Sequence, residues 1–300
     1  MGRTLLTLVD DAVDVDWAKC RFLTCSVLPV RLACNLACPF CFSRSSISAL
    51  RHDTLDWEAA DIEAYYTFAR ERGATRLVIT GGGEPLLRAD EVVRLIERGR
   101  RFFPEITCFT NGTYLTRGLA NRLGDAGLSY LCYSRHHDDD AICQELMGPT
   151  APGLEAFFHA AAGLKVRATC VMARGYIDSP QAVDRYQQTL SRFGVREFTF
   201  KHTYVAYAGS VFGGAREDHW AAQNRVDLDP FADRGEAVAM LPWGPAIRRI
   251  GRFQVCYYYE PEPIWEKEHQ LCRSINLLSD GSAYASLEDR RSRLFQLNAC

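Results

Sequence analysis

The sequence predicts an α/β protein built on parallel strands, and two observations carry that prediction. Between about residue 26 and about residue 205, short β-branched or aromatic runs alternate with amphipathic helical segments. Several of those segments also end at a glycine, as a left-handed C-cap requires: Gly73, Gly127, Gly163 and Gly194. Six strand-like runs separated by helices imply parallel pairing through right-handed crossovers. The rhythm alone leaves two arrangements open, a barrel-like (β/α)6 sheet and a doubly wound open sheet.

In chain order the strand-like runs are SVLPVRLAC (26–34), TRLVIT (75–80), EITCFT (105–110), LSYLCYS (128–134), KVRATCVMA (165–173) and REFTFKHTYV (196–205). Each is short, rich in β-branched or aromatic residues and bounded by turn formers. The helical segments between them are WEAADIEAYYTFARERG, ADEVVRLIERGRRF, TRGLANRLGDAG, GLEAFFHAAAG and SPQAVDRYQQTLSRFG. After about residue 210 the rhythm breaks. RFQVCYYYE and INLLSDGSAYAS read as β, the latter as a hairpin turning at Asp280-Gly281. The expected division is an N-terminal extension (1–25), a core (26–210) and a small, largely β C-terminal extension (211–300).

Composition excludes several classes of function. Lys and Arg number 35 against 37 Asp and Glu, so no basic field points to a nucleic-acid or membrane partner. No apolar run approaches the roughly 20 residues of a membrane span. The N-terminus turns acidic at once and does not read as a signal peptide, so the expected location is cytoplasmic. In that compartment the 12 cysteines are not a disulfide framework. Cys108, Cys132 and Cys170 sit in strand-like runs and read as small buried hydrophobes. Cys20, Cys25 and Cys143 have no recognisable spacing.

The chemistry concentrates in CNLACPFCF, where Cys34, Cys38 and Cys41 make a C-x3-C-x2-C loop behind the first strand-like run. A structural zinc site wants four ligands, usually as two separated C-x2-C pairs. Three thiolates wrapped by Leu36, Ala37, Pro39 and Phe40 favour a [4Fe–4S] cluster with one iron left free for chemistry.

This loop resembles that of the radical S-adenosylmethionine (radical SAM) superfamily, including the aromatic Phe40 before the third cysteine. TGGGEPLL (80–87), behind the second strand-like run, is similar to the family's GGEP motif. The resemblance covers roughly residues 26–205 and implies a partial (β/α)6 barrel of parallel strands with the C-terminal extension appended. It also implies that the cluster chelates SAM, that one electron cleaves the sulfonium, and that the resulting 5′-deoxyadenosyl radical abstracts hydrogen from a substrate. Gly82, Gly83, Glu84 and Pro85 would hold the methionine amino group. Asn111 in TNGTYL would line the pocket, and Ser134 would contact ribose. Arg167, Met172 and Arg174 would reach adenine or the SAM carboxylate. Lys201 and His202 end the sixth run and become candidate substrate contacts. In the RHHDDD run (135–140) a metal site and a polar loop are both open, the polar loop being the expectation.

The tail carries Cys256, Cys272 and Cys300. CRSINLLSDGSAYAS is similar to the start of the family's twitch or SPASM extensions, but Ser286 stands about where those place a further cysteine. Three readings stay open: a second [4Fe–4S] cluster, a hydrogen-atom donor (Cys256 or Cys272), and a degenerate remnant. The 33 residues before Cys34 argue against a cobalamin domain or a peptide-recognition domain. The expected substrate is small and polar, nucleoside-, sugar- or aminocyclitol-like, in specialised metabolism, with oxidation, epimerisation or carbon–carbon bond formation as the outcome. A peptide maturase and a non-enzymatic Fe–S scaffold or redox regulator are the alternatives. The expected partners are the substrate and a one-electron donor such as flavodoxin or ferredoxin.

Overall fold

Eight parallel strands, two more than the sequence rhythm predicts, form the centre of the computed structural model, which describes residues 15–49, 55–206 and 213–297. The strands are β1 (Arg21–Val27), β2 (Arg76–Ile79), β3 (Glu105–Thr110), β4 (Tyr130–Ser134), β5 (Val166–Met172) and β6 (Glu197–His202). They are followed by β7 (Glu236–Met240), β8 (Ala246–Ile250), β9 (Phe253–Tyr258), β10 (Leu271–Leu277), β11 (Ser282–Tyr284) and β12 (Arg293–Gln296). One sheet contains them all in the order β12-β11-β10-β1-β2-β3-β4-β5-β6-β9-β8-β7. From β10 to β9 every pairing is parallel; the two hairpin arms at either end are antiparallel.

The helices are α1 (Val15–Lys19), α2 (Ile62–Glu71), α3 (Ala89–Gly99), α4 (Arg117–Ala126), α5 (Asp140–Met147), α6 (Leu154–Ala160), α7 (Pro180–Ser191), α8 (Arg216–Gln223) and α9 (Pro263–Glu268). Side-chain caps set several starts: Asp61, Thr116, Asp139 and Ser179 each accept from a backbone N–H in the first turn. Gly127 ends α4 in the left-handed region, φ 109°, as the sequence leads one to expect.

Alternation along the strands divides core from cavity. On β3, Ile106 and Cys108 join the main hydrophobic core while Thr107 and Phe109 face inward. On β5, Ala168, Cys170 and Met172 join the core; Arg167, Thr169 and Val171 face the cavity. The inner face therefore carries the polar residues of these strands, Thr107, Arg167 and Thr169, interleaved with apolar ones such as Phe109 and Val171, while the outer face is packed.

Two expectations change here. The first strand is Arg21–Val27, not 26–34: RFLTCSV hydrogen-bonds to both β2 and β10, and the chain beyond Val27 leaves the sheet to become the cysteine loop. The tail does not simply append a β unit. β9 and β10 extend the parallel set, so the sheet crosses both expected boundaries, near 25 and near 210. Their side chains then meet: Arg273 Nη1 donates to the Tyr258 hydroxyl at 3.5 Å and pairs with Glu260. The parallel set thus curls into a nearly complete ring. The hairpin at Asp280-Gly281 is present, joining β10 to β11.

Candidate active site

The loop after β1 is held from three sides before any ligand is considered. Leu36 packs with Cys143, Met147 and Ala151 near α5. The Ala37 N–H donates to the Met147 carbonyl at 2.9 Å, and the Glu84 N–H to the Ala33 carbonyl at 2.8 Å. Phe40 meets His136 edge-on at 4.8 Å and Trp220 of α8 at 5.6 Å between ring centres.

The glycines of the second motif are required by this contact. A Cβ at Gly82 would stand 2.0 Å from the Val30 carbonyl oxygen, and one at Gly83 2.0 Å from that of Ala33. Only bare backbone lets the two loops lie together. Glu84, expected to accept from an ammonium, is already engaged. Its Oε1 accepts from the Leu86 N–H (3.0 Å) and the Thr110 hydroxyl (2.7 Å), and its Oε2 from the Asn111 N–H (2.7 Å). Those bonds leave about one acceptor site free on Oε2. Burial pushes its pKa above the usual carboxylate range, and the three hydrogen bonds pull it back.

Asn111 extends the same scaffold. Its Nδ2 donates to Asn35 Oδ1 (3.1 Å) and lies 3.7 Å from Cys34 Sγ, toward which the Leu36 N–H also points at 3.5 Å. Burial pushes the Cys34 thiol up, and the Leu36 N–H and Asn111 pull it down. Cys38 is pushed up by burial and then by its neighbours Cys41 and Cys34. Thiolates crowded in this way are stable beside a soft cation, the donor chemistry a cluster supplies. The residues present therefore fit a [4Fe–4S] group. Among the described residues no three His, Cys, Asp or Glu side chains converge on a point suited to a single metal ion. A cluster differs, because each thiolate binds its own iron.

The loop opens onto a cavity of about 460 Å³ inside the ring of strands, lined by Cys34, Cys38, Cys41, Phe40, Gly83, Glu84, Pro85, Asn111 and Ser134. Lys201, His202 and Cys256 line it too. A second cavity, about 630 Å³, opens at the N-terminal ends of β5 and β6, where no motif residue lies.

Other expected residues stand elsewhere. Met172 is fully buried on the outer face, because alternation on β5 turns Val171 inward instead. Arg174 is exposed past the end of β5 and does not line the cavity. Arg167 does line it, but near the start of β5, beside Glu197 (3.7 Å), on the cavity floor. That is five residues, about 16 Å, below the strand end where the cysteine loop sits. The RHHDDD run is a structural loop: Arg135 binds Asp140 and backbone carbonyls, His136 accepts from the Val171 N–H, and Asp139 caps α5.

The tail cysteines part company. Cys256 faces the cavity from β9, its pKa pushed up to about 11 by burial. Cys272 is fully buried away from it, against Cys20 and Glu266. Cys300 lies outside the described residues. Ser286 is buried in a hydroxyl network, its N–H donating to Ser292 Oγ at 3.0 Å and the Ser292 hydroxyl donating to its carbonyl at 2.7 Å. Sequence reasoning missed Arg76, Tyr258, Glu260 and Arg273, all cavity-lining. A charged residue at an inward position of an otherwise apolar run, as in TRLVIT, was the available signal for Arg76. Cys132, read as packing, also lines the cavity, bonded to Thr107 at 3.3 Å.

A parallel ring with a three-thiol loop and a glycine motif packed beneath it defines a class of iron–sulfur barrel enzymes. The family profile described as Radical SAM superfamily matches residues 29–200, over half of the chain, and the chain belongs to that superfamily. Membership implies the superfamily's [4Fe–4S] cluster and SAM as cofactors, and radical SAM enzymes need a reductant and a substrate. A probable GTP 3′,8-cyclase of Methanothermobacter thermautotrophicus is 36% identical over 107 residues, 34% of this chain and 33% of the relative. The dual-specificity RNA methyltransferase RlmN of Oleidesulfovibrio alaskensis is 32% identical over 161 residues, 49% of this chain and 44% of the relative. The chain thus spans less than half the length of the curated relatives it matches. Streptococcus suis SuiB bound to S-adenosylmethionine shares the fold at 16% identity and TM-score 0.56, covering 89% of this chain and 60% of that one. No helix among the described residues is long and apolar enough to cross a membrane.

Proposed function

We propose that this enzyme abstracts a hydrogen atom from a small polar substrate held inside the ring of strands, with epimerisation the outcome its residues favour. The observation that carries the reading is the single cavity joining Cys34, Cys38 and Cys41 at its mouth to the Cys256 thiol on its wall. When bound, the cluster and SAM supply the radical that removes the hydrogen. Cys34, Cys38 and Cys41 hold the cluster. The backbone at Gly83, with Gly82 behind it and Glu84 and Pro85 beside it, would receive the SAM amino group, and Phe40, Asn111 and Ser134 would border the nucleoside. Packing of the loop against α5 and α8 fixes its position, with Cys34 exposed at the mouth and Phe40 buried behind it.

Cys256 is suited to the return step because burial keeps its thiol protonated at neutral pH. Its S–H would give a hydrogen atom to the substrate carbon, and one electron and one proton would then restore the thiol. A flavodoxin or ferredoxin would deliver that electron. Lys201 and His202 become substrate contacts on β6. A peptide substrate is the second reading, favoured by the SuiB fold, which has also been solved with the precursor peptide SuiA at TM-score 0.54 and 14% identity.

Iron and sulfide content after anaerobic reconstitution, with 5′-deoxyadenosine release under dithionite, tests the site. About four irons per chain are expected in the wild type and none in Cys34→Ala/Cys38→Ala/Cys41→Ala. About four irons persisting in that variant would place a second cluster on the tail. A wild type that holds no iron or cleaves no SAM would overturn the proposal.

A further inference from the structure

The charges on the cavity wall are unevenly balanced, and the imbalance has an address. Four cations line the cavity, Arg76, Arg167, Lys201 and Arg273, against two carboxylates, Glu84 and Glu260. On the floor Arg76 pairs with Glu105 at 3.4 Å, and Arg167 with Glu197 at 3.7 Å, a carboxylate that also engages Lys165, whose charge stands in solvent with the side chain 57% exposed. At the mouth Glu84 is spent on the backbone of the motif loops. Between them Lys201 and Arg273 share one carboxylate. Lys201 Nζ lies 3.1 Å from Glu260 Oε1, and Arg273 pairs with Glu260 Oε2, which also accepts from the Tyr258 hydroxyl at 2.7 Å. Where β6, β9 and β10 meet, two cavity-lining cations thus share one cavity-lining carboxylate, while the buried Glu288, on which Arg273 also acts, stands outside the lining.

We propose that Lys201 and Arg273 form an anion subsite that binds a carboxylate or phosphate group carried by the substrate. This rests on reading the cavity as the substrate site. Two cations sharing one carboxylate are only partly neutralised, so an incoming anion completes the pairing. Arginine offers a planar donor fork and lysine a mobile ammonium, a pairing suited to either oxyanion. Lys201 pairs in register with Tyr258, and Thr199 with Cys256. Lys201 therefore stands one pleat, about 7 Å, nearer the mouth than Cys256, and Arg273 reaches the shared carboxylate from lower on β10. An acid group bound there lays the adjoining carbon skeleton between the SAM end and Cys256. Burial above all, and then Arg273, push the Lys201 ammonium down to about 7, against the pull of Cys132 and Cys256, which makes the free amine chemically reportable.

The test is competition labelling of the reconstituted holoenzyme, without SAM, by acetic anhydride, read by peptide mass spectrometry. Inorganic phosphate and acetate are the two probes. Acylation of Lys201 should slow at least tenfold in one or both, while the exposed Lys165 (side chain 57% exposed) is unaffected. Protection by phosphate alone assigns a phosphoryl group, and protection by acetate a carboxylate. In Arg273→Met the protection should fall at least fivefold. Lys201 labelling that neither anion slows in the wild type would overturn the subsite, whatever the variant does. Because SAM cleavage by the wild type is measured separately, its failure would count against the reading of the site and not against the anion subsite.

Discussion

The mouth of the cavity and its far wall are built from different materials. At the mouth many of the specifying groups are backbone: glycines that permit contact, the Leu36 N–H aimed at Cys34, carbonyls that receive the Ala37 and Glu84 N–H groups, with the Glu84 side chain tying them to β3. On the wall formed by β6, β9 and β10 they are side chains, Lys201, Cys256, Tyr258 and Arg273. The mouth serves a cofactor common to a superfamily, and the wall faces whatever is particular to this chain's substrate. The two should therefore fail differently, the mouth to an added methyl and the wall to a change of charge.

The largest expected effect breaks the mouth. In Gly83→Ala the new Cβ meets three backbone atoms of Ala33, at 2.0, 2.6 and 2.8 Å, and backbone cannot swing aside. The cost should reach or exceed the upper end of about 1–3 kcal/mol seen for overpacking. Chemical denaturation would show the loss, and reconstituted iron should fall with it. Unchanged stability would mean the two loops do not touch as described.

Glu84→Gln should cost somewhat less, about 1–3 kcal/mol. Whichever way the amide turns, its NH2 meets a donor, either the Asn111 N–H or the Leu86 N–H and Thr110 hydroxyl. If denaturation midpoints matched, Glu84 would not be joining the second motif to β3.

Both motifs at the mouth were legible in the sequence because backbone chemistry leaves a local mark: three cysteines within eight residues and consecutive glycines. The order of strands and helices was legible for the same reason. The wall was not. Arg273 and Glu260 come from segments that the curl of the sheet brings face to face, and no spacing announces that Arg273 will share Glu260 with Lys201. Placing Met172 and Arg167 needed the register of β5, which decides which of two adjacent residues looks inward and how deep it stands. Short α5 escaped because its sequence, DAICQELM, was absorbed into the polar run before it.

Cys272→Ser sharpens the contrast between the two tail cysteines. Cys272 is sealed against Cys20 and Glu266, so a hydroxyl there should destabilise the fold by about 1 kcal/mol and leave SAM cleavage intact. Loss of iron in this variant would instead make Cys272 a cluster ligand.

The fourth expected effect is a pH dependence confined to the wall. The folded-state pKa of Lys201 is lowered by burial and by Arg273, so its charge is complete below that value and is lost as pH rises through about 7. Glu260, Tyr258, Arg273, Cys132 and Cys256 face it; the arginine keeps its charge, and Cys256, pushed up to about 11, stays neutral through this window. Acetate, already ionised, adds no titration of its own. Its protection of Lys201, taken relative to the rate without acetate at each pH, should therefore weaken from pH 6 to pH 9, by up to about tenfold per unit at the alkaline end. Protection that stays flat across the range would leave Arg273 as the sole anion-binding cation, and Lys201 would then be only its neighbour.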